Sequence, residues 1–551
     1  MDERQALLDD RAPTYNASDS DSDSVKKSDD QIQVAVAVVR DEEGGVKKPN
    51  VRMAKIVIPL GVGLFLAAMD GTIVASSYAS IGSELKQLQN TSWIATGYML
   101  TMTTFQPLYG KLSDIFGRKQ CLVFSYLIFA IGCLICGLAR NLEELVVGRA
   151  VAGLGGGGMT TVVTILVSDF VPLKSRGLWQ GILGVIYASG SATGAPLGGL
   201  LADGIGWRWA FLGQVPVALL AILLVGTQVK LPPADSGDLK AKLRRIDFAG
   251  AFFLVFAIFT FLLGADRGGN VSWTDRYTLT ALITSAVLFA FFGFVEMHPA
   301  VANEPIAPKR VMINSSHVAS FLANFFREAC LMALVFFMAL WFQAVAGKSA
   351  SEAGLGLLPG IIGSVCGGVG GGYIMKKSGK YYTLGMITAI MMVIGNAFIV
   401  FFTGAYTISV LGATVALFVQ CVGSGTGVST TLVALIANAE PEDQAIVTAL
   451  SYLFRSLGAI VGVSVGGTLV QGTLRSLLYR RLVGEDVDID EIVNLVRSSL
   501  SAIDSLEPKI RAIVSMSYEE AVETTFYLTF ALSVAGLICN FFIKEKHLGG
   551  K

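Results

Sequence analysis

The chain has 551 residues, of which 53% are hydrophobic and only 15% charged, and its 42 lysines and arginines are balanced by 42 acidic residues. With a mean hydropathy of +0.61, it is more apolar than a soluble core requires, which excludes a soluble enzyme and identifies a polytopic membrane protein. The net charge of zero says nothing about partners, because it sums over two aqueous compartments.

Residues 1–52 lack the apolar stretch of a cleaved signal peptide. The Ser- and Asp-rich segment 18–30 predicts a disordered cytoplasmic tail open to phosphorylation. Near its start, Glu3-Arg4-Gln5-Ala6-Leu7-Leu8 matches an acidic dileucine signal, which a sorting adaptor would read, although six residues can also match by chance.

A helix needs about 20 apolar residues to cross a hydrocarbon core about 30 Å thick. Runs near that length cover 54–76, 92–112, 121–138, 145–167, 178–201, 209–229, 248–263 and 279–295. Six more cover 318–342, 354–374, 384–402, 409–432, 446–470 and 525–542, which makes fourteen spans in all. Short loops rich in Lys and Arg face the cytoplasm. Those after even-numbered spans carry Arg118 and Lys119, Lys174 and Arg176, the cations of 240–245, Lys309 and Arg310, and Lys376, Lys377 and Lys380. Both termini are therefore expected in the cytoplasm. The connection 471–523 is long enough to escape the rule, and runs such as Ile489, Val493 and Val496 predict short amphipathic helices in it.

Between spans two and three stands Gly110-Lys111-Leu112-Ser113-Asp114-Ile115-Phe116-Gly117-Arg118-Lys119. One carboxylate and three cations crowd a tight turn with no room for an enzyme's active site, so charge here serves conformation. The motif returns in decayed form after span ten, where Gly372 and Gly379 keep the glycine spacing and Lys376 replaces the acid. Likewise Gly190, Gly194 and Gly198 of span five are echoed by Gly458, Gly462 and Gly466 of span thirteen, each a face of small residues that lets helices approach closely. Such echoes mark duplicated halves, as in secondary transporters. The expected division is a tail 1–52, a six-helix bundle 53–230, a cytoplasmic linker with two inserted spans 231–311, a second six-helix bundle 312–546 that includes the connection 471–523, and a tail 547–551.

On these residues the chain resembles the major facilitator superfamily, specifically its fourteen-span drug:proton antiporter branch, over 53–544. The decapeptide fits the superfamily's loop signature, with Ile115 where a cation is common. Met69-Asp70-Gly71-Thr72-Ile73-Val74 matches the branch signature Leu-Asp-x-Thr-Ile-Val, which implies that Asp70 is the leading ion or substrate residue. Ala79 stands where the branch usually has proline, a departure that bears on multidrug specificity. Gly148-Arg149-Ala150-Val151-Ala152-Gly153 is similar to the family's basic motif associated with proton coupling. The segment Gly190-Ser191-Ala192-Thr193-Gly194-Ala195-Pro196-Leu197-Gly198-Gly199 resembles the antiporter motif, its proline displaced by one residue. The fold implied is an all-α membrane protein of two six-helix bundles plus two extra spans.

Asp70, Arg149, Arg327, Glu328 and Arg455 all lie within predicted spans, where one charge costs about 2.5 to 3.5 kcal/mol on the lenient insertion scale. Each is a candidate for proton coupling or substrate binding, and each could instead be half of a structural ion pair. Consecutive helical residues diverge by about 100°, so Arg327 and Glu328 need different partners. An arginine, Arg149 or Arg455, that is near a carboxylate in one conformation and distant in the other would make a proton switch. Replacing Asp70 by Asn is expected to abolish proton-driven uptake while leaving folding intact. Tyr98, Gln106, Asn324, Asn396 and Gln420 could touch substrate or simply bond helix to helix. In the loop motif, Asp114 is placed to cap a helix end of the opposite bundle and Arg118 to pair with Asp169.

Other signals carry no chemistry. Gly155 to Gly158 lacks the Lys of a phosphate loop and reads as helix packing. Seven scattered cysteines and three single histidines suggest neither disulfides nor a metal site, and Cys133 and Cys136 read as packing residues. Trp93, Trp207, Trp209 and Trp273 are expected in an interfacial belt. The tail motif, Gly71 and the lost proline look most like fungal vacuolar basic amino-acid transporters, which exchange substrate for protons. The expected partners are a basic amino acid or cationic drug, protons, the bilayer and a sorting adaptor. No cofactor, enzymatic activity or nucleic acid is expected. Alternatives are a plasma-membrane drug exporter and a non-transporting nutrient sensor.

Overall fold

The computed structural model describes residues 51–85, 92–229, 246–270, 272–297, 305–348, 350–482, 492 and 507–546. The tail residues Glu3, Leu7 and Leu8, the sequence Ile489 to Val496 except Ile492, and 547–551 lie outside the described residues.

The first half contributes α1 (Val51–Glu84), α2 (Ser92–Phe116), α3 (Arg118–Leu138), α4 (Leu142–Phe170), α5 (Leu173–Asp203), the short α6 (Arg208–Leu212) and α7 (Gln214–Gln228). The inserted pair is α8 (Phe248–Asn270) and α9 (Arg276–Met297). After the short α10 (Lys309–Ile313), the second half comprises α11 (Ser315–Ala344), α12 (Ala350–Ser378), α13 (Tyr382–Phe402), α14 (Val410–Asn438), α15 (Gln444–Arg481) and α16 (Pro508–Phe541). Among the described residues the one β feature is an isolated bridge between Thr403 and Ile408.

Twelve helical stretches are long and apolar enough to cross a membrane. Two more, α2 and α5, have 25 and 31 residues but fall short of that hydropathy. Their sequences explain the deficit: α2 carries Thr, Gln, Lys and Asp, and α5 is rich in Gly and Ser, as befits helices that face other helices.

Local chemistry sets several helix ends. The Asn141 side chain accepts from the Glu144 amide at 2.8 Å, while Glu144 accepts from the Arg140 amide at 2.9 Å, so donors that α4 leaves unsatisfied find partners. Asn314 and Ser409 cap α11 and α14 in the same way. The four consecutive glycines of α4, Gly155 to Gly158, serve packing: a Cβ on Gly155 would lie 2.5 Å from the Phe129 amide nitrogen, and one on Gly157 would lie 2.7 Å from the Met102 carbonyl.

Two expectations change. Trp207 does not sit in an interfacial belt, because it is 1% exposed and donates to Glu84 Oε2 at 2.7 Å. Its neighbour Trp209 is 51% exposed. The outer parts of 471–523 are not separate short helices: α15 runs on to Arg481, and α16 already begins at Pro508. An apolar cluster explains the extension, since Leu474, Leu478, Val514 and Val522 bury each other beyond the membrane-length core.

The two halves meet at the end that bears the cation-rich loops. There α5 lies against α12 and α2 against α15. The contacts are backbone-close: a Cβ on Gly181 would lie 2.6 Å from the Gly368 carbonyl, one on Gly372 would lie 2.4 Å from the Gly177 carbonyl, and one on Gly110 would lie 2.7 Å from Ala449 Cβ. Polar bonds reinforce the seam, with Arg176 Nη1 donating to Gln444 Oε1 at 3.0 Å and Ser456 Oγ to Gln106 Oε1 at 3.1 Å. Thr164 and Tyr452 join their hydroxyls at 2.7 Å. Of the inserted pair, α8 packs along α2 and α15, on either side of this seam, and α9 packs against α8.

Candidate functional site

Within the first half, Asp70 of α1 is wholly buried and Arg149 of α4 is 1% exposed. Arg149 Nη1 meets Asp70 Oδ2 at 2.6 Å. Every face of the pair is engaged. Gln214 Nε2 donates to Asp70 Oδ1 at 3.1 Å, Arg149 Nε donates to the Ile94 carbonyl at 3.1 Å, and the guanidinium lies 4.3 Å from the Tyr98 ring centre. Tyr98 is itself fixed by donating to the Ala67 carbonyl at 3.2 Å. Such a pair survives burial only with good geometry and further hydrogen bonds, and both are present.

The glycines of α5 make this arrangement possible. A Cβ on Gly190 would meet the Phe65 carbonyl at 2.4 Å, and one on Gly194 the Met69 carbonyl at 2.4 Å. Thr72 completes the contact by donating to the Ser191 carbonyl at 2.9 Å. Gly198 is buried, Gly199 half-buried, and Pro196 exposed within the continuous helix.

The second half repeats the scheme with a looser pair. Arg455 Nε of α15 stands 3.4 Å from Glu328 Oε2 of α11, and their side chains are 23% and 11% exposed. Here too glycines bring helices together beside the acid, since a Cβ on Gly458 would lie 2.2 Å from the Phe325 carbonyl and one on Gly462 would lie 2.1 Å from that of Ala329. Tyr452 lies under the Arg455 guanidinium at 5.4 Å. Tyr187 of α5, 43% exposed, is within electrostatic reach of Glu328 and Arg455, so this pair borders the space between the halves.

Arg327 points elsewhere, as the helical angle requires. Its Nη1 donates to Thr431 Oγ1 at 3.3 Å and its Nη2 to Asn324 Oδ1, while Asn324 Nδ2 donates to Ser451 Oγ at 3.0 Å. Asn324 is thus a helix-to-helix bond inside the second bundle. Asn396 and Gln420 are similarly buried, both donating toward Cys330 Sγ.

In the loop motif, Gly117 takes φ 93°, a conformation that favours glycine. Arg118 pairs with Asp114 at 2.5 Å and with Asp169 at 3.0 Å, and Lys119 donates to the Gly226 carbonyl at 2.7 Å. Asp114 thus has a partner beside its own turn, in Arg118. The decayed copy keeps both glycine functions: Gly372 abuts the opposite half as Gly110 does, and Gly379 has φ 69°.

Three participants escaped sequence reasoning. Gln214 lies at the start of an otherwise apolar helix, and Tyr187 and Tyr452 lack any charge to single them out. Two further acids stand at the bases of α8 and α9, Asp247 buried and Glu296 half-buried. Asp247 Oδ1 accepts from the Gly250 amide at 2.8 Å and Glu296 Oε1 from the Ile306 amide at 3.0 Å. No group of three metal-ligating side chains occurs among the described residues.

A profile of the Major Facilitator Superfamily matches residues 60–463, and the chain belongs to that family. It is a multi-pass membrane transporter for small molecules. Over 99% of its length it is 36% identical to the vacuolar membrane amino acid uptake transporter fnx2 of Schizosaccharomyces pombe, covering 97% of that protein. It is 38% identical to the multidrug resistance protein fnx1 of the same yeast, over 90% of this chain and 93% of the relative. Identity to vacuolar basic amino acid transporter 2 of Saccharomyces cerevisiae is 31%, over 81% of this chain and 96% of that one. Among solved structures, the proton:xylose symporter XylE superimposes with a TM-score of 0.58 over 90% of this chain and 96% of its own, at 14% identity. That likeness concerns the fold.

Proposed function

We propose that this chain is a proton-coupled antiporter that carries basic amino acids across the vacuolar membrane into the vacuole by alternating access. The fourteen long helical stretches are its spans, and both termini and the cation-rich loops lie in the cytoplasm. The observation that carries the reading is the longer, less tightly sealed Glu328–Arg455 pair at the border between the bundles. A cationic amino acid arriving in that space offers Glu328 a replacement for Arg455, so substrate binding and rearrangement of the pair become one event. Asp70, sealed beside Arg149, is the proton site, exposed only when the bundles rock. A pH gradient contributes about 1.4 kcal/mol per unit, enough for tenfold accumulation per proton exchanged.

With the seam closed at the cation-rich end, the arrangement is open toward the lumen. Arg118, Asp114 and Asp169 latch that state. The dileucine signal Glu3, Leu7 and Leu8 directs the protein to the vacuole. Relatives named for vacuolar amino-acid uptake support this substrate class, and fnx1 supports a drug exporter as the competing reading. The deciding measurement is uptake of labelled lysine, arginine and histidine, and of cationic drugs, into vesicles containing purified protein under an imposed pH gradient. Gradient-dependent lysine uptake is expected. Drug flux without amino-acid flux would transfer the protein to the exporters, and binding without any flux would make it a sensor.

A further inference from the structure

Arg327 is a buried charge that the transport geometry leaves over. It is 4% exposed, and among the described residues it pairs with no carboxylate, because Glu328 is taken by Arg455. A guanidinium has five N–H donors. Two find oxygen, on Thr431 and Asn324, and Nε finds none. Arg149, the buried arginine of the first half, has the full charge of Asp70. A buried cation without a counter-charge is strongly disfavoured.

Beside Arg327 the structure leaves space. A cavity of about 20 Å³ lies between α11, α13, α14 and α16, bounded by Arg327, Gly427, Thr388, Ser533 and Asn540. A Cβ on Gly427 would lie 3.1 Å from the guanidinium, so glycine keeps that face uncovered. The space holds one occupant about the size of a water molecule. The lining is mixed and carries no acid: Ala323, Ala389, Met392 and Leu537 stand beside three polar side chains besides Arg327. Thr388 and Ser533 hydroxyls donate to their own helix carbonyls at 3.1 and 2.7 Å and can turn inward, and Asn540 has a second N–H beyond the one given to Gly536.

We propose that Arg327 and this cavity hold a single monatomic anion of chloride size, the missing counter-charge of the second bundle. The site lies among helices of one half and does not depend on which substrate is carried.

The test compares purified protein in chloride, bromide and gluconate at constant pH and ionic strength. Chloride and bromide are expected to raise Tm saturably over gluconate, which cannot enter the cavity. Arg327→Gln should remove the anion response. Should that variant fail to fold, Thr388→Val retains the charge and is expected to weaken the apparent chloride affinity several-fold. Crystals grown in bromide should give an anomalous peak beside Arg327. Equal Tm in chloride and gluconate, an undiminished response in Thr388→Val, or a water without anomalous signal at that place would each overturn the proposal.

Discussion

The two halves of this transporter each hold a carboxylate–arginine pair beside a glycine-mediated helix contact, yet the pairs differ in access. Asp70–Arg149 is sealed at 0% and 1% exposure and bonded by Gln214, Ile94 and Tyr98. Glu328–Arg455 is longer, partly exposed and edged by tyrosines. Both halves share this arrangement, and the polar neighbours set how tightly each pair is enclosed. A sealed pair suits a proton, which needs little room. An open pair suits a substrate.

The gradient of burial orders the expected effects. Asp70→Asn should abolish proton-driven uptake, and the sealed geometry revises the expectation that folding is untouched. Loss of one partner from a buried pair costs about 3 to 5 kcal/mol, so detergent-solubilised Asp70→Asn should show a clearly lowered Tm. An unchanged Tm and full uptake would remove Asp70 from both roles.

Glu328→Gln should act mainly on substrate. Its partly exposed pair contributes about 1 kcal/mol to stability, while KM for lysine should rise on the order of tenfold, equivalent to about 1.4 kcal/mol of binding. If Glu328→Gln lowers Tm more than Asp70→Asn does, the contrast between a locked and an open pair is wrong.

A third pair, outside the spans, marks the lower end of the scale. Glu84 meets Arg208 at 2.5 Å with its side chain 51% exposed. The Arg208 hydrogen bond, aided by Trp207 and opposed by burial, holds the Glu84 carboxyl below its ordinary range. A carboxylate with a depressed pKa stabilises the fold above its unfolded pKa, and that contribution is lost as pH falls through the folded value. Solvent screening limits it to a few tenths of a kcal/mol. Tm measured from pH 7 down to pH 3 should therefore fall marginally less in Glu84→Gln than in the parent, and a large difference would show the pair to be stronger than its exposure allows.

Much of this was legible from local chemistry. Gly110 and Gly117, and their echoes Gly372 and Gly379, announce a close approach and a positive φ, because only glycine tolerates both without strain. Asp70, Arg149, Glu328 and Arg455 stood out because charge in an apolar run demands compensation. Gln214 did not, since a glutamine at a helix start has many uses. The same holds for Asp247 and Glu296, which sit just outside their apolar runs.

The sequence by itself determined the membrane class, the family, the helical stretches and the roster of buried charges, because hydropathy, glycine spacing and the cost of desolvated charge are properties of short segments. Only the tertiary structure decided the pairing. Arg327 and Glu328 are neighbours in the chain but answer to different helices, and Trp207 is buried while Trp209 faces outward. Partners separated by 79 and 127 positions, as in Arg149–Asp70 and Arg455–Glu328, are chosen by how whole helices pack, which no local pattern encodes.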